Sequence, residues 1–337
     1  EKILEKNNCK INIIVATSGD TGAAAISAIK DRKNIKIFVL HPYKKISEVQ
    51  RKFMTTVNSK NVFNIALEGN FDDCQRLVKQ IFSDKKFSNL TNISGVNSIN
   101  WARIVFQIVY YFFSYFKVAE EGERVNFSVP TGNFGDIYAG YVAKKMGLPI
   151  NKLIIATNEN DILTRVLNSG VYKPLKAKQT ISPSMDIQVA SNFERLIFDI
   201  FSCDSQKTFK LMNAFDKKKE IKFEQNQIKK MKETFCSQSL SENETRLVIK
   251  EVYEKQGYLV DPHTAVAIGA LNKLTLDGKN IVLATAHPSK FSDTVLNETK
   301  IKPELPEDLK YIMDKKEKYE KLQVDLKKIQ NYILERV

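Results

Sequence analysis

A chain of 337 residues exceeds the usual single-domain size, so two lobes are expected. Apolar residues make up 43%, enough for ordinary cores, and no run approaches the roughly 20 uninterrupted apolar residues of a membrane helix, so a soluble chain with no membrane partner is expected. The net charge of +13 comes from lysines dispersed among acids, as at residues 216–220, 229–233 and 314–321, and reads as solvated helix faces; without a compact basic stripe carrying exposed aromatics, no nucleic-acid partner is expected.

Glu1 is not methionine and residues 1–10 read as the tail of a helix, which points to sequence upstream. A β-branched run at 11–16 then leads through a turn into an alanine-rich helix at 23–30. Strand 35–40, helix 47–57, strand 62–67 and helix 71–83 follow, an alternation that predicts a parallel sheet with helices on its faces. A polar loop at 91–100 marks the first lobe boundary. In the next helix Trp101, Ile104, Val105, Ile108, Val109 and Phe112 recur at helical spacing and predict one core face. Strand 125–129, helix 137–145 and strand 152–156 resume the alternation, and residues 187–256 read as mainly helical. Pro262 and His263 introduce a helix running to Leu271, 281–284 is a short strand, and Leu322, Leu326, Ile329 and Ile333 form one stripe of a terminal helix. Cys9, Cys74, Cys203 and Cys236 are isolated and do not cluster with the three histidines, so reduced thiols in a cytoplasmic protein are expected, with no disulfide and no metal.

Three strand-to-helix junctions carry the chemistry. Thr17-Ser18-Gly19-Asp20-Thr21-Gly22 joins glycines, which let a ligand approach the backbone, to hydroxyls and a helix N-terminus that favours an anion. Thr131-Gly132-Asn133-Phe134-Gly135-Asp136 opens a helix directly after a buried strand, so several N–H groups can converge on one phosphate. Neither matches GxGxxG or GxxxxGK[ST], which argues against dinucleotide and ATP sites. Thr285-Ala286-His287-Pro288-Ser289-Lys290-Phe291 follows the third strand. Ligands in open parallel sheets sit beyond the carboxyl ends of strands, where all three junctions fall, so together they predict a site for phosphorylated small molecules.

ATSGDTG at 16–22, NSINWARI at 97–104, VPTGNFGD at 129–136, ATNEND at 156–161, SPSMDI at 182–187 and TAHPSKF at 285–291 occur in this order. Together they resemble the threonine synthases, pyridoxal-phosphate enzymes of the tryptophan synthase β-subunit-like fold (fold type II). The resemblance covers nearly the whole chain, from about residue 11 to 309. It implies a two-lobed α/β enzyme that converts O-phospho-L-homoserine and water to L-threonine and phosphate, as a monomer or homodimer. The expected organisation is a smaller α/β lobe at 1–96, a larger lobe at 97–300 with a helical insertion at 187–256, and a helical tail at 301–337.

By the resemblance, Gly132, Asn133, Phe134, Gly135 and Asp136 form the cofactor's phosphate cradle, Thr285 faces its pyridine nitrogen, and Asp20 lies beside its ring hydroxyl. Ser18, Gly19 and Thr21 hold the substrate carboxylate. Lys290, Arg103, Asn97 and Ser98 are candidates for the substrate phosphate, Lys and Arg because charge-assisted bonds favour them there. His287 serves either a structural hydrogen bond or proton transfer, while His41 and His263 read as structural.

The family's Schiff-base lysine lies in an LAFKD-like motif upstream of ATSGDTG. Lys2, Lys6 and Lys10 lack the surrounding residues, so the catalytic lysine is expected outside this chain and the chain as given is expected to be inactive. Two other readings stand beside this one: a related pyridoxal-phosphate-dependent lyase of phospho-amino acids, and a non-catalytic binding module that keeps the fold.

Overall fold

The computed structural model describes residues 1–337 apart from Ser18 and Ser98. Its contacts divide the chain into two units, Glu1–Asn97 with Glu304–Val337, and Ser98–Pro303.

The first unit opens with a short helix α1 (Lys2–Lys6), then β1 (Ile11–Ala16), α2 (Asp20–Ile29), β2 (Ile35–Pro42), α3 (Glu48–Thr55), β3 (Val62–Leu67), α4 (Phe71–Ser83), α5 (Lys85–Thr91) and β4 (Ile93–Gly95). β1 pairs in parallel with β2 and β4, and β2 pairs in parallel with β3. β2 is central, and Ile37 to Leu40 are fully buried because helices cover both faces of the sheet. One face packs Ile14, Phe38, Leu40 and Ile65 on α4; the other packs Val15, Ile37 and Val39 with Ile26 and Met54. Side chains set the helix starts: Ser47 accepts from the Gln50 N–H, and Asn70 and Asp73 form a reciprocal capping box. Residues 91–100, expected to be loop, contain β4. Three residues are too few to show a strand period, and pairing with β1 is what makes them a strand.

The second unit contains α6 (Trp101–Val118), β5 (Val125–Pro130), α7 (Gly135–Lys145), β6 (Ile150–Thr157), α8 (Ile162–Ser169), β7 (Val171–Tyr172), α9 (Phe193–Ile200), α10 (Ser205–Lys218), β8 (Ile221–Lys222), α11 (Gln225–Thr234), β9 (Phe235–Ser239), α12 (Glu242–Gln256), α13 (Pro262–Asn272), β10 (Lys279–Val282) and α14 (Ser292–Thr299). A four-stranded parallel sheet runs β10-β5-β6-β9, with β7 and β8 forming a separate antiparallel pair. Residues 187–256 are mainly helical, as expected, and β8 and the sheet strand β9 lie among the helices. The sequence of β9, Phe-Cys-Ser-Gln-Ser, carries one large apolar residue because it is an edge strand, mostly half-buried. In α6 the buried residues are Ile104, Ile108, Tyr111 and Tyr115, whereas Trp101, Val105 and Val109, expected in the core, are 48%, 40% and 63% exposed. A helix apolar nearly all round does not announce its buried face; here two tyrosines with hydroxyl partners at Asp136 and Glu120 set it.

The chain then returns to the first unit with α15 (Glu307–Lys310), β11 (Glu320–Leu322) and α16 (Leu326–Leu334). β11 pairs in parallel with β3, so Leu322 belongs to a sheet edge and not to the terminal helix. Ile329 and Ile333 of α16 are fully buried in the cluster of Ile14, Leu77 and Ile81. No helix among the described residues is long and apolar enough to cross a membrane.

Candidate active site

β5 is buried along its whole length and leads into the second junction. Thr131 ends it with two hydrogen bonds: its N–H donates to the Ala156 carbonyl at 2.8 Å and its hydroxyl to the Val129 carbonyl at 2.7 Å. Phe134 caps α7 with φ +65°, a left-handed conformation costly for a bulky residue. Its ring is buried against Phe193 and Phe235 at 5.4 and 5.7 Å between centroids, which holds that conformation. α7 has no side-chain cap, and among the described residues the N–H groups of Gly132, Asn133, Phe134 and Gly135 donate to no protein acceptor. Several unused donors at the start of an eleven-residue helix form a site for an anion. A Cβ on Gly132 would lie 2.7 Å from the Ser184 carbonyl oxygen and 3.1 Å from Ile187 Cδ1, so only glycine fits. The Asn133 carbonyl is held from behind by the Asn192 N–H at 3.0 Å and side-chain amide at 3.2 Å.

Asp136 turns away from those donors. Its Oδ1 accepts from the hydroxyls of Tyr110 and Tyr111 at 2.6 and 2.9 Å, tying α7 to α6. Burial raises its pKa to about 6, against the two tyrosine hydrogen bonds that lower it. The geometry gives its side chain an anchoring position between α6 and α7.

Thr285 lies in the same unit. Val282 pairs with Ser128, and the Leu283 N–H continues the ladder to the Ser128 carbonyl at 3.0 Å. Thr285 and Thr131 each follow a paired residue by three positions, so both leave the carboxyl ends of neighbouring parallel strands. Thr285 is exposed and Lys290 half-buried in the 3₁₀ turn Pro288–Phe291. His287 caps that turn: its Nδ1 lies 2.7 Å from the Ser289 hydroxyl and accepts the Ser289 N–H at 3.3 Å. Arg103 is exposed in the first turn of α6.

The first junction belongs to the other unit. The Thr17 hydroxyl oxygen accepts from the N–H groups of Gly19 and Gly22 at 2.9 and 3.0 Å, folding the turn back on the end of β1. Gly19 has φ +140°, and a Cβ there would lie 2.7 Å from Gln50 Cβ. Asp20 begins α2 and accepts from Gln50 Nε2 at 3.2 Å; Thr21 beside it is half-buried. Asn97 is exposed in this unit, while Ser18 and Ser98 lie outside the described residues. Thus the structure gathers Gly132, Asn133, Phe134, Gly135 and Thr285 at one sheet end, and Gly19, Asp20 and Thr21 at another.

A family model described as "Pyridoxal-phosphate dependent enzyme" matches residues 1–221, and one described as "Threonine synthase, C-terminal" matches residues 264–333. The threonine synthase of Pseudomonas aeruginosa is 43% identical over 99% of this chain and 72% of its own length; that of Saccharomyces cerevisiae is 42% identical over 97% and 69%. This chain belongs to the threonine synthase family. A crystal structure of PLP-bound threonine synthase from Brucella melitensis superposes with a TM-score of 0.95 at 44% identity, covering 99% of this chain and 72% of that one. The cofactor of this chain is pyridoxal phosphate, and the fold is that of fold type II. The unused N–H groups at α7 and the Cβ-free space at Gly132 fit its phosphate.

Residues that shape these junctions yet carried no site signal in the sequence are Gln50 and Asn192. Each acts through backbone or amide contacts with residues 30 to 59 positions away, and no local motif marks such a role.

Proposed function

We propose that this chain, together with a Schiff-base lysine that lies outside it, binds O-phospho-L-homoserine and, with water, yields L-threonine and phosphate. The observation that carries the reading is the α7 cradle, whose free N–H groups and obligate glycine suit a phosphate monoester dianion. Bound pyridoxal phosphate supplies the electron sink for the pair left when a substrate proton is removed. The chain's own residues orient and hold. Gly132, Asn133, Phe134 and Gly135 bind the cofactor phosphate through N–H groups, and Asp136 fixes the helix that presents them. Thr285 offers the pyridine nitrogen a hydroxyl, which does not force it to be protonated as a carboxylate would. Asp20 lies beside the ring hydroxyl; Ser18, Gly19 and Thr21 receive the substrate carboxylate. Lys290 and Arg103 supply the substrate phosphate with cationic partners, Asn97 with an amide and Ser98 with a hydroxyl. A cytoplasmic setting is part of the same proposal.

Protein expressed from its complete reading frame and loaded with pyridoxal phosphate is expected to release threonine and phosphate in equal amounts from O-phospho-L-homoserine. Release of 2-oxobutyrate in place of threonine would assign the lyase reaction instead. Gly132→Ala is expected to weaken cofactor binding at least tenfold in a fluorescence titration, because its methyl group meets the Ser184 carbonyl.

A further inference from the structure

The wall opposite Gly132 is the turn of residues 182–187, and it is pinned at both ends. At one end the Asp186 carboxylate accepts four bonds: from Asn158 Nδ2 at 2.8 Å, Asn160 Nδ2 at 3.0 Å, the Thr180 hydroxyl at 2.7 Å and the Thr180 N–H at 2.9 Å. At the other end the Ser184 N–H donates to His263 Nε2 at 3.3 Å. His263 is 4% exposed and sits in the first turn of α13. Its Nδ1 lies 2.9 Å from Asp261 Oδ1. Asp261, itself 1% exposed, is the N-cap of α13; it accepts from the His263 N–H at 2.8 Å and from the Thr264 hydroxyl. A backbone N–H can only donate, so Nε2 is the acceptor towards Ser184 and the proton of a neutral imidazole is on Nδ1, towards Asp261. The His263 ring also packs on Phe291, 4.8 Å between centroids, at the end of the turn that carries Lys290.

A buried Asp–His pair joined to one backbone N–H at the rim of a phosphate cradle is more than an N-cap requires, since Asp261 alone caps α13. We infer that His263 is a positioning residue for the cofactor phosphate: through the Ser184 N–H it sets how closely the Ser184 carbonyl approaches Gly132, and so the width of the cradle. This rests on the cradle being the cofactor's phosphate site. Substrate and cofactor never touch the imidazole; it acts through the turn.

The test is the affinity for pyridoxal phosphate, read by fluorescence titration, with the ³¹P resonance of the bound cofactor phosphate as an independent readout. His263→Leu removes the acceptor and is expected to weaken binding about tenfold, the loss of one hydrogen bond to a group left buried, and to shift the ³¹P resonance. His263→Gln carries an oxygen near the Nε2 position and is expected to recover most of that affinity. Asp261→Asn keeps a competent helix cap but no longer fixes the ring's proton, and is expected to weaken binding several-fold even if the leucine variant does not fold. Gly132→Ala reports on the cradle itself. If Gly132→Ala loses the cofactor while His263→Leu and Asp261→Asn bind as the wild type does, the inference falls and the cradle stands. Lowered thermal stability in the His263 variants with unchanged affinity and ³¹P shift would equally overturn it, since that is a structural role alone. All variants are made in protein expressed from its complete reading frame, and a wild type of that kind that takes up no pyridoxal phosphate removes both.

Discussion

Asp136 and His41 are buried ionisable groups whose effects on stability have opposite sign. Asp136 has its pKa raised from 3.8 to about 6 by burial, so the folded chain keeps a proton that the unfolded chain loses across that window. Its contribution is therefore most favourable below about pH 4 and is lost as the pH rises through about 6. Asp136→Asn, which can still accept from Tyr110 and Tyr111, is expected to gain on the order of 2 kcal/mol relative to wild type between pH 4 and 7, measured by urea unfolding at each pH. An unchanged difference across that range would show that Asp136 is ionised throughout. His41 in β2 is 1% exposed, and neither ring nitrogen has a protein partner among the described residues. Burial lowers its pKa from 6.5 to about 4, so it stays neutral in the fold while the unfolded chain takes up a proton below 6.5. Its stability is full above pH 6.5 and falls as the pH drops toward 4; His41→Phe should remove that slope. The windows overlap, so only the single variants, compared with wild type, separate the two. Sequence marked Asp136 by its place in a motif, yet its tyrosine partners lie 25 and 26 residues away.

At the scale of the element, α6 shows what a periodic pattern leaves open. Ile104, Ile108, Tyr111 and Tyr115 face the core, while Phe106, Val109, Phe113 and Phe116 are 62% to 76% exposed on the other side. Both arcs are apolar, so spacing alone admits either. Ile108→Ala is expected to cost about 2–5 kcal/mol, as large-to-small core changes do. Phe113→Ser, which the same spacing leaves at the surface, is expected to stay within about 0.5 kcal/mol and to raise solubility. Chemical denaturation of both variants checks this, and a costly Phe113→Ser with a neutral Ile108→Ala would invert the assignment of faces. The glycine junctions behave differently. A glycine at φ +140° is specified by its own turn, so six residues of sequence suffice to flag it, whereas Gly132 is demanded by a carbonyl distant in the chain, that of Ser184, 2.7 Å from its absent Cβ.

For the whole molecule, the decisive event is the return of residues 304–337 to the first unit. β11 covers the open edge of β3, and α16 places Ile329 and Ile333 in a core that otherwise consists of residues before 98. A chain shortened to end before Glu320 is expected to lose amide protection in β3 and α4, measured by hydrogen exchange, because the β3 edge and the Leu77–Ile81 face of α4 become solvated. Retained protection there would mean that the tail is dispensable.

The sequence by itself determined the α/β class, from the alternation of strands and helices, while the fold type and the pyridoxal-phosphate family followed from the resemblance carried by six motifs in order. It also located the turns that offer N–H groups to an anion. Only the tertiary structure decided which face of α6 is buried, that Asp136 is held by tyrosines, that β9 and β11 are strands, and that His263 meets Ser184 across 79 residues. Each of these depends on a partner distant in the chain. Edge strands carry few apolar residues, and an isolated histidine looks alike whether it braces a cradle or fills a core. The physical reason is common to all of them: local sequence fixes backbone conformation, but burial and hydrogen-bond partners are set by what the fold brings alongside.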